Sequence, residues 1–157
     1  MTDPATSAED TAEEEARLDR AMELIHFAFR RVVAGPDALL GAHGMGRLHH
    51  RVLYVLGKNP GIRVLELADL LGVSKQAIHG PLAELRGREL VDDAVDPDDG
   101  RARILRLTPQ GERFERRLAR LQHDAFREAF AQAGPEAEAA WRRVSDLLGG
   151  GRRLRRA

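Results

Sequence analysis

The side chains best suited to chemistry in this chain lie close together between residues 74 and 103. Ser74 begins one short helix, where its hydroxyl or the free N–H groups can meet a phosphate, and the spacing places Lys75, Gln76, His79 and Ala83 on the side that faces away from the core. Gln can bond adenine bidentately, Lys can bond guanine or a phosphate, and a His ring can donate or accept at a base edge. These residue types therefore predict a surface that reads DNA, although each position alone is also compatible with an ordinary solvated surface.

Two arginines further along the chain, Arg101 and Arg103, are also candidate DNA contacts. Arg101 comes directly after the turn sequence Asp96-Pro97-Asp98-Asp99-Gly100, and Arg103 lies two residues further on. An Arg at the tip of a β-hairpin suits the narrow minor groove, where the negative potential of DNA is strongest. The alternative for Arg101 is a local salt bridge with Asp98 or Asp99. Both interpretations can hold together, because an acid can also orient the guanidinium.

Two short helices meeting at a turn must position these side chains. Gly72 permits the sharp turn, Val73 fills the angle between the helices, and Ser74 is a suitable N-cap for the second helix. The first helix contains the apolar residues Leu65, Leu67, Ala68, Leu70 and Leu71, and Ile78, Leu82 and Leu85 form the buried face of the second. Pro81, preceded by Gly80, lies inside the second helix and predicts a kink or a break there.

The segments Leu90–Val95 and Arg103–Leu107 are expected to be two short edge strands around the Asp-rich turn. Helix, turn, helix and β-hairpin in this order are the layout of a winged helix-turn-helix over about residues 47–108. The sequence thus predicts a mainly helical α+β fold whose second helix enters a DNA groove.

Longer helices flank this motif. An apolar stripe of Leu18, Met22, Ile25, Phe29 and Val32 predicts a helix over about 13–34 that ends at Gly35-Pro36, before a glycine-rich connector. Thr108-Pro109 starts further helical sequence over about 109–148, which breaks at Gly134-Pro135. These stripes exceed what a small winged lobe can cover, so we expect dimerisation helices in an intertwined homodimer. Residues 1–12 are expected to be a disordered acidic segment, and 149–157 a flexible basic tail.

Composition excludes several classes of protein. The chain has 157 residues, a formal net charge of zero and no cysteine, which excludes disulfides, thiolate metal sites and cysteine-based redox sensing. Neither a signal peptide nor an apolar run of membrane-spanning length is present, so we expect a cytoplasmic protein without membrane contact. No phosphate-binding loop or nucleophile motif supports an enzyme, and no cofactor is expected.

Other polar and aromatic residues could form a ligand pocket near the junction between the dimerisation helices and the winged lobe. The candidates are Phe27, Phe29, His43, Met45, His49 and Tyr54, most of which also fit an ordinary core. A zinc site among His26, His43, His49 and His50 is conceivable, but their spacing is not that of a compact metal site, so no metal is expected.

The sequence resembles the MarR family of bacterial transcriptional regulators. The resemblance rests on RVLYVLGKNPGIRVLELADLLGVSKQAI and on DPDDGRARILRLTPQGER, and it covers most of residues 13–148. It implies a homodimer on a palindromic operator in double-stranded DNA, often a repressor. Such repressors are relieved by a small aromatic or anionic effector bound between the dimerisation helices and the DNA-binding lobe.

Two departures from the family pattern concern the reading surface. The family often has Arg or another polar residue where Gly80 stands, and a second wing Arg where Gly100 stands. Lost arginines weaken phosphate attachment. Two hypotheses follow: a ligand-responsive DNA-binding repressor, or a winged-helix protein–protein interaction module with weak or no sequence-specific DNA binding.

Overall fold

The structure, a computed structural model, describes residues 4–151 and 154, with side chains from residue 10 onward. Its elements are, in chain order, α1 (Pro4–Gly41), α2 (Arg47–Lys58), α3 (Val64–Leu71), α4 (Lys75–Gly87), β1 (Val91–Val95), β2 (Arg103–Leu107), α5 (Pro109–Ala133) and α6 (Pro135–Leu148). The mainly helical winged helix-turn-helix fold predicted from the sequence is confirmed. No helix among the described residues has the length and apolar character that crossing a membrane requires.

The winged lobe packs around an apolar core to which α1 and α5 also contribute. Ile78, Leu82 and Leu85 of α4 are almost completely buried, as their spacing predicts. They pack in one cluster with Leu53 of α2 and Leu67 of α3. Gly72 adopts the left-handed conformation (φ 64°, ψ 37°), which lets the chain turn sharply between α3 and α4. The helix-turn-helix therefore has the internal support that its sequence indicates.

The wing is an antiparallel pair of strands fixed to the lobe by a third segment. β1 and β2 pair from Val91 opposite Leu107 to Val95 opposite Arg103. Leu105 also donates to the carbonyl of Ile62 (2.8 Å) and accepts from Gly61 N–H (3.0 Å), in the loop before α3. These bonds tie the base of the wing to the start of the helix-turn-helix.

The junction between the wing and α5 explains the Leu-Thr-Pro-Gln-Gly sequence. The Thr108 hydroxyl donates to the carbonyl of Glu89 (2.6 Å) and accepts from the N–H of Gly111 (3.0 Å), so it caps α5 while holding the preceding turn. A Cβ on Gly111 would lie 1.9 Å from the Leu90 carbonyl oxygen. Only glycine allows this close approach of helix and backbone.

Both ends of α1 differ from the prediction. The helix begins at Pro4, within the segment expected to be disordered, because residues 5–15 are rich in Ala and Glu, which favour helix. It also continues through Gly35 and Pro36 to Gly41, where it was expected to stop. Leu40 is fully buried in this extension. Gly35 faces the Cβ of Leu121 on α5, which would lie 3.3 Å from an added Cβ, so it serves packing and not termination.

The outer helices leave apolar side chains uncovered. Leu18, Met22, Ile25 and Phe29 of α1 are each more than half exposed, and no described residue of α6 is buried. Trp141 of α6 contacts the rings of Phe126 and Phe130 on α5, with centroids 5.3 and 5.5 Å away. Towards the end of α6, Leu147 and Leu148 remain exposed.

Candidate nucleic-acid interface

The first two turns of α4 present the predicted reading face, defined here as Ser74, Lys75, Gln76 and His79. All four residues are exposed. The Ser74 hydroxyl accepts from the Ala77 N–H at 3.1 Å, so the predicted N-cap forms. Because the other N–H groups of this first turn have no intrahelical partner, the helix end can also meet a phosphate.

The structure brings part of this face together with the wing. Lys75 and His79 line one groove with Arg103 of β2, and the groove has a volume of about 670 Å³. Arg63, before α3, and Arg86, on α4, line the same groove. Lys75 and Arg103 form no salt bridge within the described residues, and their positive charges on a concave surface favour a polyanion. Gln76 and Arg101 do not line the groove, although both are exposed and lie on the same two elements, α4 and the wing.

At the wing tip, two aspartates accept hydrogen bonds from backbone N–H groups of the turn. Asp99 Oδ1 accepts from the N–H of Arg101 (3.2 Å), and Asp96 Oδ1 accepts from the N–H of Asp98 (3.0 Å). Within the described part of the chain, the Arg101 guanidinium forms no salt bridge, so the predicted alternative of a pair with Asp98 or Asp99 is wrong. Its charge is therefore available at the tip.

Arg63 is a positioning residue that sequence reasoning missed. Its Nε and Nη2 donate to Asp96 Oδ2 at 3.0 and 2.6 Å, and Nη2 also lies 3.4 Å from Asp99. The hydrogen bond from Arg63 holds the pKa of Asp96 below its ordinary value. This clamp joins the start of α3 to the wing turn. No local pattern signals it, because the partners are 33 residues apart.

Helix α4 is not broken at Gly80-Pro81. It runs without interruption from Lys75 to Gly87 with Pro81 inside it. Of the predicted kink or break, the break is therefore wrong, and the kink stays a prediction. The buried Ile78, Leu82 and Leu85 hold both sides of the proline against the lobe, which offsets the lost backbone hydrogen bond. A Cβ at Gly80 would meet no atom within 4 Å.

The second half of α4 is anchored on its rear side. Arg86 binds Asp93 of β1, with Nη2 2.8 Å from Oδ1. Glu84 Oε2 lies 3.1 Å from Nε2 of His49, whose Nδ1 accepts from the Gly46 N–H at 3.0 Å. Because Nδ1 is an acceptor, Nε2 carries the proton and donates to Glu84. His49 thus links α2 to α4 through Glu84, and it does not line the cavity beside His43.

A separate cavity of about 300 Å³ lies where the predicted effector site was expected. His43 and Met45 line it with Leu90 and Phe114, together with Gln110 and three arginines, Arg88, Arg113 and Arg117. The His43 ring is fixed by a bond between Nδ1 and the Leu39 carbonyl (2.8 Å), and it meets the Phe114 ring edge-on at 5.2 Å.

The remaining pocket candidates lie elsewhere. Phe29 is 55% exposed on α1 with the Arg47 guanidinium 5.4 Å above its ring, and Phe27 is exposed on the same helix. Tyr54 lies under Lys58, whose Nζ is 5.4 Å from the ring centre. The position of an aromatic residue along its helix therefore does not determine whether it lines this cavity. Among the described residues, no three His, Asp or Glu side chains are grouped to hold a metal ion.

Known proteins are similar to this chain in sequence or in fold. A family profile described as "MarR family" matches residues 43–102. The HTH-type transcriptional regulator PetP of Rhodobacter capsulatus is 37% identical over 132 residues, which span 84% of this chain and 80% of that protein. A MarR-family transcriptional regulator from Silicibacter pomeroyi has a similar structure, with a TM-score of 0.69 and 21% identity over 87% of this chain and 92% of its own.

A further similar structure is that of CouR from Rhodococcus jostii bound to p-coumaroyl-CoA. Its TM-score is 0.62 at 22% identity, and the match covers 78% of this chain and 85% of CouR. The two structural matches establish the shared fold, while the identity to PetP extends over most of both chains. The chain therefore belongs to the MarR family, whose members are DNA-binding transcription regulators and not enzymes.

Proposed function

We propose that this regulator is a ligand-responsive repressor that binds a palindromic operator as a homodimer. The observation that carries the proposal is the groove in which Lys75 and His79 of α4 face Arg103 of the wing. In this arrangement α4 enters the major groove, Gln76 reaches the bases, and Arg101 at the wing tip enters the adjacent minor groove. The unbroken α4 favours DNA reading over the protein–protein module, since a broken reading helix was one reason for that alternative.

The homodimer is inferred from the uncovered apolar surface. Soluble proteins rarely expose a contiguous apolar face of this kind unless it contacts another molecule. Ile25 and Met22 of α1, with Leu147 and Leu148 of α6, are more than half exposed in one chain. A second copy would cover them with the same residues in an isologous interface. A two-fold dimer in turn places two copies of α4 on two operator half-sites, about one helical turn apart.

The cavity beside His43 suits an aromatic anion. Within the described residues, the arginines at positions 88, 113 and 117 form no salt bridge, although all three line this cavity. Met45, Leu90 and Phe114 provide an apolar wall for a ring, and a guanidinium binds a carboxylate bidentately. The p-coumaroyl-CoA bound by CouR has both an aromatic ring and negative charge, which supports an effector of this class.

Helix α4 connects this cavity to the reading face. Arg88, at the C-terminal end of α4, lines the cavity, and its Nη2 lies 3.7 Å from the position of a Cβ on Gly44. One turn earlier, Glu84 binds His49 next to the same connector. A ligand that draws Arg88 into the cavity would shift α4 and with it Lys75 and Gln76. Effector binding and DNA binding are then linked through one rigid helix.

A footprinting and binding experiment tests this function. DNA from upstream of the protein's own gene is titrated with the protein at increasing salt, and the protected region is mapped. We expect protection of two inverted half-sites and affinity that falls steeply with salt. DNA binding that is independent of the DNA sequence, or no DNA binding at low salt, would contradict the proposal.

The effector part is tested separately with benzoate and p-coumarate as probes. We expect calorimetric binding of at least one of them, release of the operator on binding, and loss of both effects in Arg113→Gln. As a control, Arg120→Gln on the same helix lies outside the cavity lining and should keep both. If neither aromatic acid changes the affinity for the operator, the effector assignment is wrong, but the DNA-binding result still stands.

A further inference from the structure

A second cavity lies on the opposite face of α5 from the His43 cavity. It has a volume of about 380 Å³ and is formed where the end of α2, the end of β2 and the first turns of α5 meet. Glu112, Glu115 and Arg116 line it from α5, whereas the His43 cavity uses positions 110, 113, 114 and 117. The two cavities share no residue. This size lies within the range of small-molecule sites.

Glu115 is the unusual residue of this second cavity. It is only 9% exposed, yet within the described residues its carboxylate has neither a hydrogen bond nor a salt bridge. Gly57 leaves space beside it, since an added Cβ there would lie 3.4 Å from the Glu115 Cδ. Burial raises the pKa of Glu115, and the positive charges of Lys58, Arg116 and His123 offset this only in part. The Glu115 carboxylate oxygens are still accessible, since no side-chain oxygen of the described residues is both fully buried and unpartnered, so a ligand can reach them and supply a donor.

The other charged groups around the cavity differ in whether they already have partners. Glu112 and Arg116 bind each other at 3.4 Å, so neither needs a ligand. Arg106 is exposed at the cavity and forms no salt bridge within the described part of the chain, although Asp92 stands opposite it on β1. Glu115 and Arg106 therefore line one cavity with opposite charges, without binding each other. Leu56, Pro60 and Leu107 provide apolar walls.

We propose that this cavity binds a small zwitterion of the amino-acid class with an apolar side chain. The ammonium group of the ligand donates to Glu115, its carboxylate accepts from Arg106, and its side chain packs on Leu56 and Leu107. Such a ligand carries both charges that the cavity can pair, which neither a simple amine nor a simple acid does. The site is independent of the DNA surface and of the His43 cavity, so it stands whether or not the proposed effector is correct.

Titration calorimetry with L-leucine tests this site in the full-length protein. We expect saturable binding to the wild type, weakened about tenfold or more in Glu115→Gln, which keeps the shape of the side chain and removes its charge. Arg106→Gln should weaken binding less, since Arg106 is exposed. Glu128→Gln is the matched control, because it removes the same charge from the same helix outside the cavity lining, and it should bind like the wild type.

Two analogues of L-leucine, each without one of its charged groups, test the two charge contacts separately. Isoamylamine lacks the carboxylate of L-leucine, and 4-methylpentanoate lacks its ammonium group. Each should bind at least tenfold more weakly than L-leucine, and isoamylamine should lose its residual binding in Glu115→Gln. The proposal is overturned if L-leucine does not bind, if Glu115→Gln binds it unchanged, or if isoamylamine binds as tightly as L-leucine. Melting curves of each variant confirm that it is folded.

Discussion

The winged lobe differs from the N-terminal part of α1 and from α6 in how much of its apolar surface is buried within one chain. In the lobe, Leu53, Ile78 and Leu85 are buried almost completely by neighbours within the same chain. In the outer helices, Ile25 is 62% exposed and Leu148 is 72% exposed, although both lie in apolar stripes as regular as those of the lobe. One chain therefore buries the apolar core of the lobe, whereas the apolar stripes of α1 and α6 need a second molecule to cover them. The DNA-reading residues belong to the first region, and the proposed symmetry of the regulator belongs to the second.

The largest effect is expected from a charge placed in the outer stripe. In Ile25→Glu, the new carboxylate leaves the monomer intact because position 25 is exposed there, but a dimer would have to bury it. We expect dimer affinity to fall by about 100-fold or more, measured by sedimentation velocity, with operator affinity falling alongside it. Arg30→Glu, on another side of α1, is the control and should remain dimeric. Dissociation in the control alone, or in neither variant, would count against this interface.

The second prediction concerns the junction that connects the two regions. A Cβ in Gly111→Ala would collide with the Leu90 carbonyl, so α5 must shift away from the turn before β1. Overpacking of this kind typically costs about 1–3 kcal/mol. We expect the melting temperature to fall by about 5 °C or more. Gly87→Ala is the matched control, since an added Cβ there meets nothing within 4 Å. Equal melting of the two variants would show that the junction is more adaptable than this contact indicates.

Local sequence signals predicted much of this architecture because each acts over a few residues. Ser74 and Thr108 accept hydrogen bonds from N–H groups three residues later, and Gly134-Pro135 separates α5 from α6. The same local rules failed at Gly35-Pro36 and at Gly80-Pro81. In both places buried leucines, Leu40 and Leu82, hold the helix together across the proline. Tertiary packing there exceeds the local preference to stop.

The candidate sites were less predictable for the same physical reason. The reading face follows from helix periodicity, and the structure exposes it as expected. The clamp from Arg63 to Asp96, the link from His49 to Glu84 and the cavity beside Glu115 each join residues that are far apart in sequence. Their residue types alone do not show the pairing, because each charged residue in the sequence has many possible partners of opposite charge.

The third prediction changes DNA binding within the lobe while leaving the outer helices alone. The chain has two lysines, Lys75 on the reading face and Lys58 at the end of α2. Lys75→Ala should weaken operator binding by about 5- to 20-fold and reduce the salt slope by about one, as expected for one lost phosphate or base contact. Lys58→Ala is the matched loss of charge and should bind like the wild type. Both variants should sediment as the same dimer; equal weakening in both would indicate a general charge effect.

The smallest effect is expected at the clamp that holds the wing to the lobe. Because the hydrogen bond from Arg63 lowers the pKa of Asp96 in the folded chain, the clamp contributes its full stability above the ordinary value of 3.8 and loses it as the pH falls through the lower folded value. Asp96→Asn should therefore melt on the order of 1–2 °C below the wild type at neutral pH, since exposed pairs contribute little. The difference should shrink as the pH falls below 3.8.

Operator binding separates this clamp from a purely structural contact. The wing that carries Arg101 and Arg103 is fixed by Arg63 at Asp96, so Asp96→Asn should weaken operator affinity at neutral pH although it removes a negative charge. Charge alone predicts the opposite, because a less acidic wing attracts phosphates more strongly. Asp98→Asn removes the same charge from the same turn, and the Asp98 side chain makes none of the described hydrogen bonds. It should raise affinity slightly. If both variants bind more tightly than the wild type, charge governs the wing, and its position relative to the lobe does not depend on Arg63.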